Sequence, residues 1–242
     1  TGLAEGELEV FYQPVIDLAT GAAVAAEALV RWHHPDRGLL LPGDFIPLAE
    51  ETGVVVELGR WVLNQACVTA AGWPGGPKVA VNLSARQLSD SALVDDVAAA
   101  LIASGLAPDR LVVEVTETSV MSDPERARIA LCALKELGVT IAIDDFGTGY
   151  SSLAYLNLLP VDEVKLDGCF ASALASGEGS PALVQAIVAM AAALNVALVV
   201  EGVETDDQRR QLAALGCQLA QGFLWSEPVP AGSLRLAQPV LA

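Results

Sequence analysis

The feature that most constrains this chain is a recurring unit, a short apolar run ending on a polar residue, followed by a helical stretch that glycine, proline or asparagine closes. Lys78 to Val81 ends on Asn82, Leu111 to Val113 on Glu114, and Ile141 to Ile143 on Asp144 and Asp145. Val161 to Leu166 presents Lys165, Val196 to Val200 ends on Glu201, and the weaker run Gln218 to Gln221 ends on Gln221. Two earlier runs, Leu8 to Gln13 and Ala22 to Leu29, bring Gln13 to a strand end and Glu27 into an apolar setting. Strands and helices alternating with a mean repeat of roughly thirty residues argue for a parallel sheet, and about eight such strands predict an α/β fold, a (β/α)8 TIM-like barrel.

Local signals place the helices between these runs. Asp44 reads as an N-cap for Phe45 to Thr52, and a longer helical pattern covers Val54 to Ala71. Ser84 to Gln87 and Thr205 to Gln208 have the form of capping boxes. Asp123-Pro124 and Ser180-Pro181 read as N-caps followed by proline at the first helical position, with Gly138 and Asn195 as the stops. The stretch Ala182 to Val200 is apolar enough to suggest a membrane span, but a helix up to Asn195 and then a strand account for it without lipid.

A chain of 242 residues fits one large domain over 1–242. It opens almost at the first strand, as a piece excised from a larger protein would. With 13 Lys and Arg against 30 Asp and Glu, the formal net charge is −17, which argues against unspecific attraction to DNA or to an anionic membrane. A phosphate ligand would need cations between it and the protein. Cys67, Cys132, Cys169 and Cys217 lie far apart and form no metal-binding pair, so they read as small core residues of a reducing cytoplasm. No signal peptide opens the chain. His33-His34 has no partner cysteines and reads as plain surface.

In a barrel of this type the functional groups sit at the C-terminal ends of the strands. Glu27, Asn82, Glu114, Asp144, Lys165, Glu201 and Gln221 all fall at or near such ends, where packing alone would place apolar residues. Oxygen donors without histidine or cysteine favour hard divalent cations, Mg2+ or Mn2+. The neighbours Asp144 and Asp145 repel unless a cation lies between them. Two ions bridged by Asp144 can clamp a phosphoryl transfer and activate a water. Lys165 and Glu201 are placed to orient or deprotonate that water, and Arg31 to hold a phosphate oxygen.

These residues carry a resemblance. Glu27-Ala28-Leu29 with Arg31-Trp32 is similar to the signature of bacterial EAL domains, the cyclic-di-GMP phosphodiesterases. Gln13-Pro14, Asn82-Leu83-Ser84, Glu114-Val115-Thr116-Glu117, Asp144 to Leu153, Lys165-Leu166-Asp167, Glu201 to Glu204 and Gln221-Gly222-Phe223 follow in the family's order across nearly the whole chain. The resemblance implies a barrel whose first strand is antiparallel to the rest. It implies metal ligation by Glu27, Asn82, Glu114, Asp144 and Asp145, with Glu201 reaching the second ion or its water and Lys165 contacting the nucleophilic water. Gln13, Leu29, Arg31 and Gln221 would line the dinucleotide's site, and Glu117 would support the loop from Asp145 to Ser152. The implied activity is metal-dependent hydrolysis of cyclic-di-GMP to linear pGpG. The implied partners are a second copy of the domain near that loop and an upstream sensor or GGDEF module. Gly168 and Cys169 depart from the Arg and Ser usual after Lys-x-Asp, which puts local packing in doubt. Two other readings stand beside this one. One is a cyclic-di-GMP receptor without turnover, and the other an enolase-type barrel, which the DDFGTGYSS loop and the lack of a capping domain disfavour.

Overall fold

The structure, a computed structural model, describes residues 2–3, 5–147, 158–176 and 179–236. The strands are β1 (Leu8–Asp17), β2 (Ala23–His34), β3 (Gly38–Leu40), β4 (Lys78–Leu83), β5 (Leu111–Thr116), β6 (Thr140–Phe146), β7 (Glu163–Leu166), β8 (Ala197–Val200), β9 (Leu219–Gln221) and β10 (Val229–Pro230). From β2 the sheet runs in parallel through β4, β5, β6, β7 and β8 to β9. β1 closes the ring by pairing antiparallel with both β2 and β9. The expected barrel is present, with its first strand reversed. β3 and β10 are short additions that pair outside the ring with β2 and β1.

Strand periodicity explains how the interior is layered. Val15, Ala25, Val199 and Leu219 form one inner cluster, and Ala80, Val112 and Ala142 another. Side chains two residues apart on a strand share a face. Two positions beyond Ala25, Ala80, Val112, Ala142, Val199 and Leu219 stand Glu27, Asn82, Glu114, Asp144, Glu201 and Gln221. In the reversed β1 the same layer is reached two positions earlier, at Gln13. The polar side chains therefore form the layer directly above a floor of small apolar ones.

Several element bounds differ from the sequence expectation for identifiable reasons. β1 continues through Pro14 to Asp17, so Gln13 sits inside the strand and not at its end. Proline lacks a backbone donor, and at Pro14 the ladder needs only β2, because pairing with β9 starts at Val15. β2 runs on to His34 as the long arm of a hairpin, pairing Trp32 with Leu8. Helix Pro42–Thr52 starts ahead of Asp44, with Leu41 at the N-cap position and Pro42 in the first turn. Asp44 serves that helix end from its third position, its Oδ2 accepting from the Leu41 backbone N–H at 2.9 Å.

Both capping boxes form, at Ser84 and Thr205. Asp123 caps helix Pro124–Glu136, and Asn195 ends helix Pro181–Leu194 in the left-handed conformation. Ser180 occupies the N-cap position there, without a side-chain hydrogen bond. Of the cysteines, Cys67 and Cys217 are buried and Cys169 is exposed, all as free thiols. Among the described residues no helix is long and apolar enough to cross a membrane.

Candidate active site

The polar residues of this layer converge on one ammonium group, Glu27 from inside β2 and not from near its end. Lys165 Nζ lies 2.8 Å from Glu201 Oε1, 3.1 Å from both Glu27 Oε2 and Glu114 Oε2, and 3.5 Å from Asp144 Oδ1. Lys165 and Glu114 are each 1% exposed, so water screens little of this charge. Burial alone would discharge the lysine, but the surrounding carboxylates of Glu114, Glu27, Glu201 and Asp144 hold its pKa well above the ordinary value. Burial also pushes Glu114 well above the usual carboxylate range, with Lys165 opposing and the other carboxylates adding to the rise. Glu201, on the rim, is raised by burial to about 7, with Lys165 again opposing. For Glu27 burial acts upward too, but Lys165 and the donors Gln221 and Asn82 bring its pKa below the usual value.

A bulge brings Asp145 to the same place as Asp144. Adjacent residues of a regular strand point to opposite faces, and here the register of β6 against β7 shifts between Ile143 and Phe146. Asp145 takes φ 56°, and its backbone N–H donates to Asp144 Oδ1 at 2.9 Å. The bulge turns both carboxylates inward. As a result Asp144, Asp145 and Glu201 form one set with ligand oxygens within 4.8 Å of one another, and Glu27, Glu114 and Asp144 form another. Asp144 belongs to both. Carboxylate-only donor sets of this spacing fit hard divalent cations. Asn82 donates to Glu27 Oε1 through Nδ2 at 2.7 Å, which leaves its carbonyl oxygen outside that contact.

The remaining residues singled out from the sequence lie around this cluster. Gln221 Nε2 donates to Glu27 Oε2 at 2.7 Å and to Gln13 Oε1 at 2.9 Å. Leu29 lines a cavity of about 340 Å³ together with Gln13, Glu27, Glu201 and Gln221. Arg31 is buried on the same face of β2, where it donates to the Val30 carbonyl at 3.0 Å and lies over the Phe11 ring, without a hydrogen bond to the carboxylate cluster. Glu117 opens the short helix after β5. The loop it would support lies, from Thr148 onward, outside the described residues. His33 is a surface group contacting Glu9 at 2.8 Å.

Three features here had not been assigned a role from the sequence. Phe223 lines the cavity mouth and is 58% exposed, unusual for so large an apolar ring. Glu204 lines the same mouth. Gly168 and Gly202 meet backbone to backbone, and a Cβ on Gly202 would stand 2.8 Å from the Gly168 Cα. A Cβ on Gly168 would in turn stand 3.1 Å from the Gly202 Cα, so the departure at Gly168 fits a close contact between the start of helix Gly168–Ser176 and the loop after β8. An aromatic next to glycine was the one available signal, since the Gly168 contact joins residues far apart in sequence. A second hollow, of about 390 Å³, is lined by β2, β4 and the helices Pro42–Thr52 and Val55–Ala71, and reaches Leu29 and Asn82 of the site. It is largely apolar and shares Leu29 with the cavity at the barrel mouth.

A family model described as EAL domain matches residues 1–228. The chain belongs to the EAL domain family. This EAL domain is 46% identical over 236 residues to the bifunctional diguanylate cyclase/cyclic di-GMP phosphodiesterase MucR of Pseudomonas aeruginosa, an alignment covering 96% of this chain and 34% of MucR. It is 44% identical over 236 residues to the cyclic di-GMP phosphodiesterase NbdA of the same organism, covering 96% of this chain and 30% of NbdA. The chain therefore spans about a third of the length of these curated relatives. Among solved structures, the PaMucR phosphodiesterase in its c-di-GMP complex superimposes with a TM-score of 0.91 at 45% identity, covering 97% of this chain and 96% of that one.

Proposed function

We propose that this EAL domain hydrolyses cyclic-di-GMP to linear pGpG with the help of divalent cations, Mg2+ or Mn2+, and that it works as one domain of a larger signalling protein. The observation that carries the reading is the layer of Glu27, Glu114, Asp144 and Glu201 around Lys165, with Asp145 turned in beside them. A structural core has no use for so much buried negative charge, and a phosphodiester approaching a chain of net charge −17 needs cations. The relatives MucR and NbdA, whose names describe cyclic-di-GMP phosphodiesterases, support the substrate.

Glu27, Asn82, Glu114, Asp144, Asp145 and Glu201 would hold the ions, with Asp144 shared between two. Bound there, divalent cations supply Lewis-acid polarisation of a phosphate and a water of lowered pKa. Lys165, kept charged by its carboxylates, is placed to contact the attacking water. Glu201, on the rim, is placed to accept the proton of that water. Arg31 brings a guanidinium that donates to the Val30 carbonyl and lies over the Phe11 ring, suited to a phosphate oxygen. Leu29 and the cavity mouth seat the dinucleotide. Glu117 steadies the loop that follows β6, and a second copy of the domain pairs near that loop.

Incubating the purified chain with cyclic-di-GMP in Mg2+, in Mn2+ and in chelator, with chromatography for pGpG, tests the reading. Product is expected in the metal arms alone. Binding of cyclic-di-GMP without product in any arm would overturn hydrolysis and leave a receptor.

A further inference from the structure

Gln13 and Gln221 border the cavity at the barrel mouth, and their resemblance to family residues gives them a place beside the dinucleotide. Their hydrogen bonds lead elsewhere. Gln13 Nε2 donates to the Ser226 backbone carbonyl at 3.0 Å. A carbonyl only accepts, so this contact decides which way the Gln13 amide faces. The Gln13 oxygen is thereby turned to Gln221, whose Nε2 donates to it at 2.9 Å. The second proton of the same Nε2 goes to Glu27 Oε2 at 2.7 Å. One main-chain carbonyl thus sets the direction of a hydrogen-bonded chain that ends on the Glu27 carboxylate.

The strand register builds this chain. β1 runs against β2, placing Gln13 directly opposite Glu27, and its pairing with β9 sets Val15 opposite Gln221. All three polar residues are more than nine-tenths buried, so water competes little for their hydrogen bonds. Glu27 Oε1 accepts from Asn82 on the other side at 2.7 Å, and the carboxylate plane is clamped between the two amides. One atom is left over. Gln221 Oε1 is buried without a hydrogen-bond partner among the described residues. A flipped Gln221 would set that oxygen against Glu27 Oε2 and Gln13 Oε1, a worse arrangement than one unpaired acceptor. Commitment of the N–H edge to Glu27 therefore overrides the demand of the oxygen.

We propose that Gln221, held in orientation by Gln13, is a positioning residue that presents Glu27 for cation binding. The proposal rests on the reading of Glu27 as a metal ligand. Mn2+ uptake by the purified chain, measured by isothermal titration calorimetry without any dinucleotide, tests it, because a residue that only touched the dinucleotide would leave this affinity unchanged. Gln221→Met, close in shape and lacking both amide edges, is expected to weaken Mn2+ binding by about 10- to 100-fold. Gln13→Met keeps Gln221 in place and releases only its orientation, so a smaller loss in the same direction is expected. Circular dichroism checks folding, and should Gln221→Met fail to fold, Gln13→Met alone decides. Wild-type Mn2+ affinity in the folded variants would overturn the proposal. A wild-type chain that takes up no Mn2+ would overturn it together with the metal reading. Mn2+ losses as expected in a protein that forms no pGpG would overturn hydrolysis alone and leave the positioning role standing.

Discussion

Strand β7 has a lysine–carboxylate contact at each end, and the two differ in everything except chemistry. Just ahead of the strand, Lys135 Nζ meets Asp162 Oδ2 at 2.6 Å, with the two side chains 39% and 35% exposed. Asp162 also accepts from the Ile141 backbone N–H at 2.8 Å, so this pair fastens the entry of β7 to β6. Charge there is matched one to one. Near the other end, Lys165 is fully buried and meets four carboxylates at once. The entry pair is an ordinary surface fastening, whereas the exit cluster carries an excess of negative charge that no packing requirement explains. Burying charges can cost more than their mutual attraction returns, so a cluster of this kind is weak evidence for a stabilising role.

Removing each lysine separates the two regions. Lys165→Met would strand Glu27 and Glu114 without a counter-charge, and in metal-free buffer we expect a loss of about 3–5 kcal/mol by denaturant melt. Hydrolysis in Mn2+ is expected to fall by about 100- to 10,000-fold, read as kcat. Near-normal stability of this variant in chelator would mean that the cluster is not the charged knot described. A smaller effect concerns the cations themselves. Mg2+ or Mn2+ at about a hundred times its Kd should stabilise the wild type by about 2.7 kcal/mol in a thermal melt. Asp144→Asn, which alters the residue common to both carboxylate sets, should abolish most of that gain. Smallest of all, Lys135→Met should cost about 0–1 kcal/mol and leave the rate of pGpG formation as it was, checked by the same melt and assay.

Much of this contrast was legible in the sequence. Apolar runs ending on Asn82, Glu114, Asp144 and Glu201 mark one end of each strand, and in a parallel barrel those ends gather at one mouth. Ser84 and Thr205 showed their helix starts because a capping box is a local contact. What stayed hidden was set by register and by long-range pairing. Gln13 faces Glu27 only because β1 runs antiparallel, a direction that came from the family resemblance and that no periodicity encodes. The turn of Asp145 into the site depends on a bulge against β7. Asp44 looked like a cap because it precedes an apolar run, but Pro42 fits the first turn and moves the helix start toward Leu41. The contact of Gly168 with Gly202 joins a helix start and a loop whose spacing carries no local mark.

Anomalous diffraction from a crystal soaked in Mn2+ asks whether the mouth cluster holds divalent cations. Anomalous peaks are expected between Asp144 and its two partner sets, Glu27 with Glu114 on one side and Asp145 with Glu201 on the other. A map without peaks there, in a crystal whose Lys165 still meets all four carboxylates, would contradict that role.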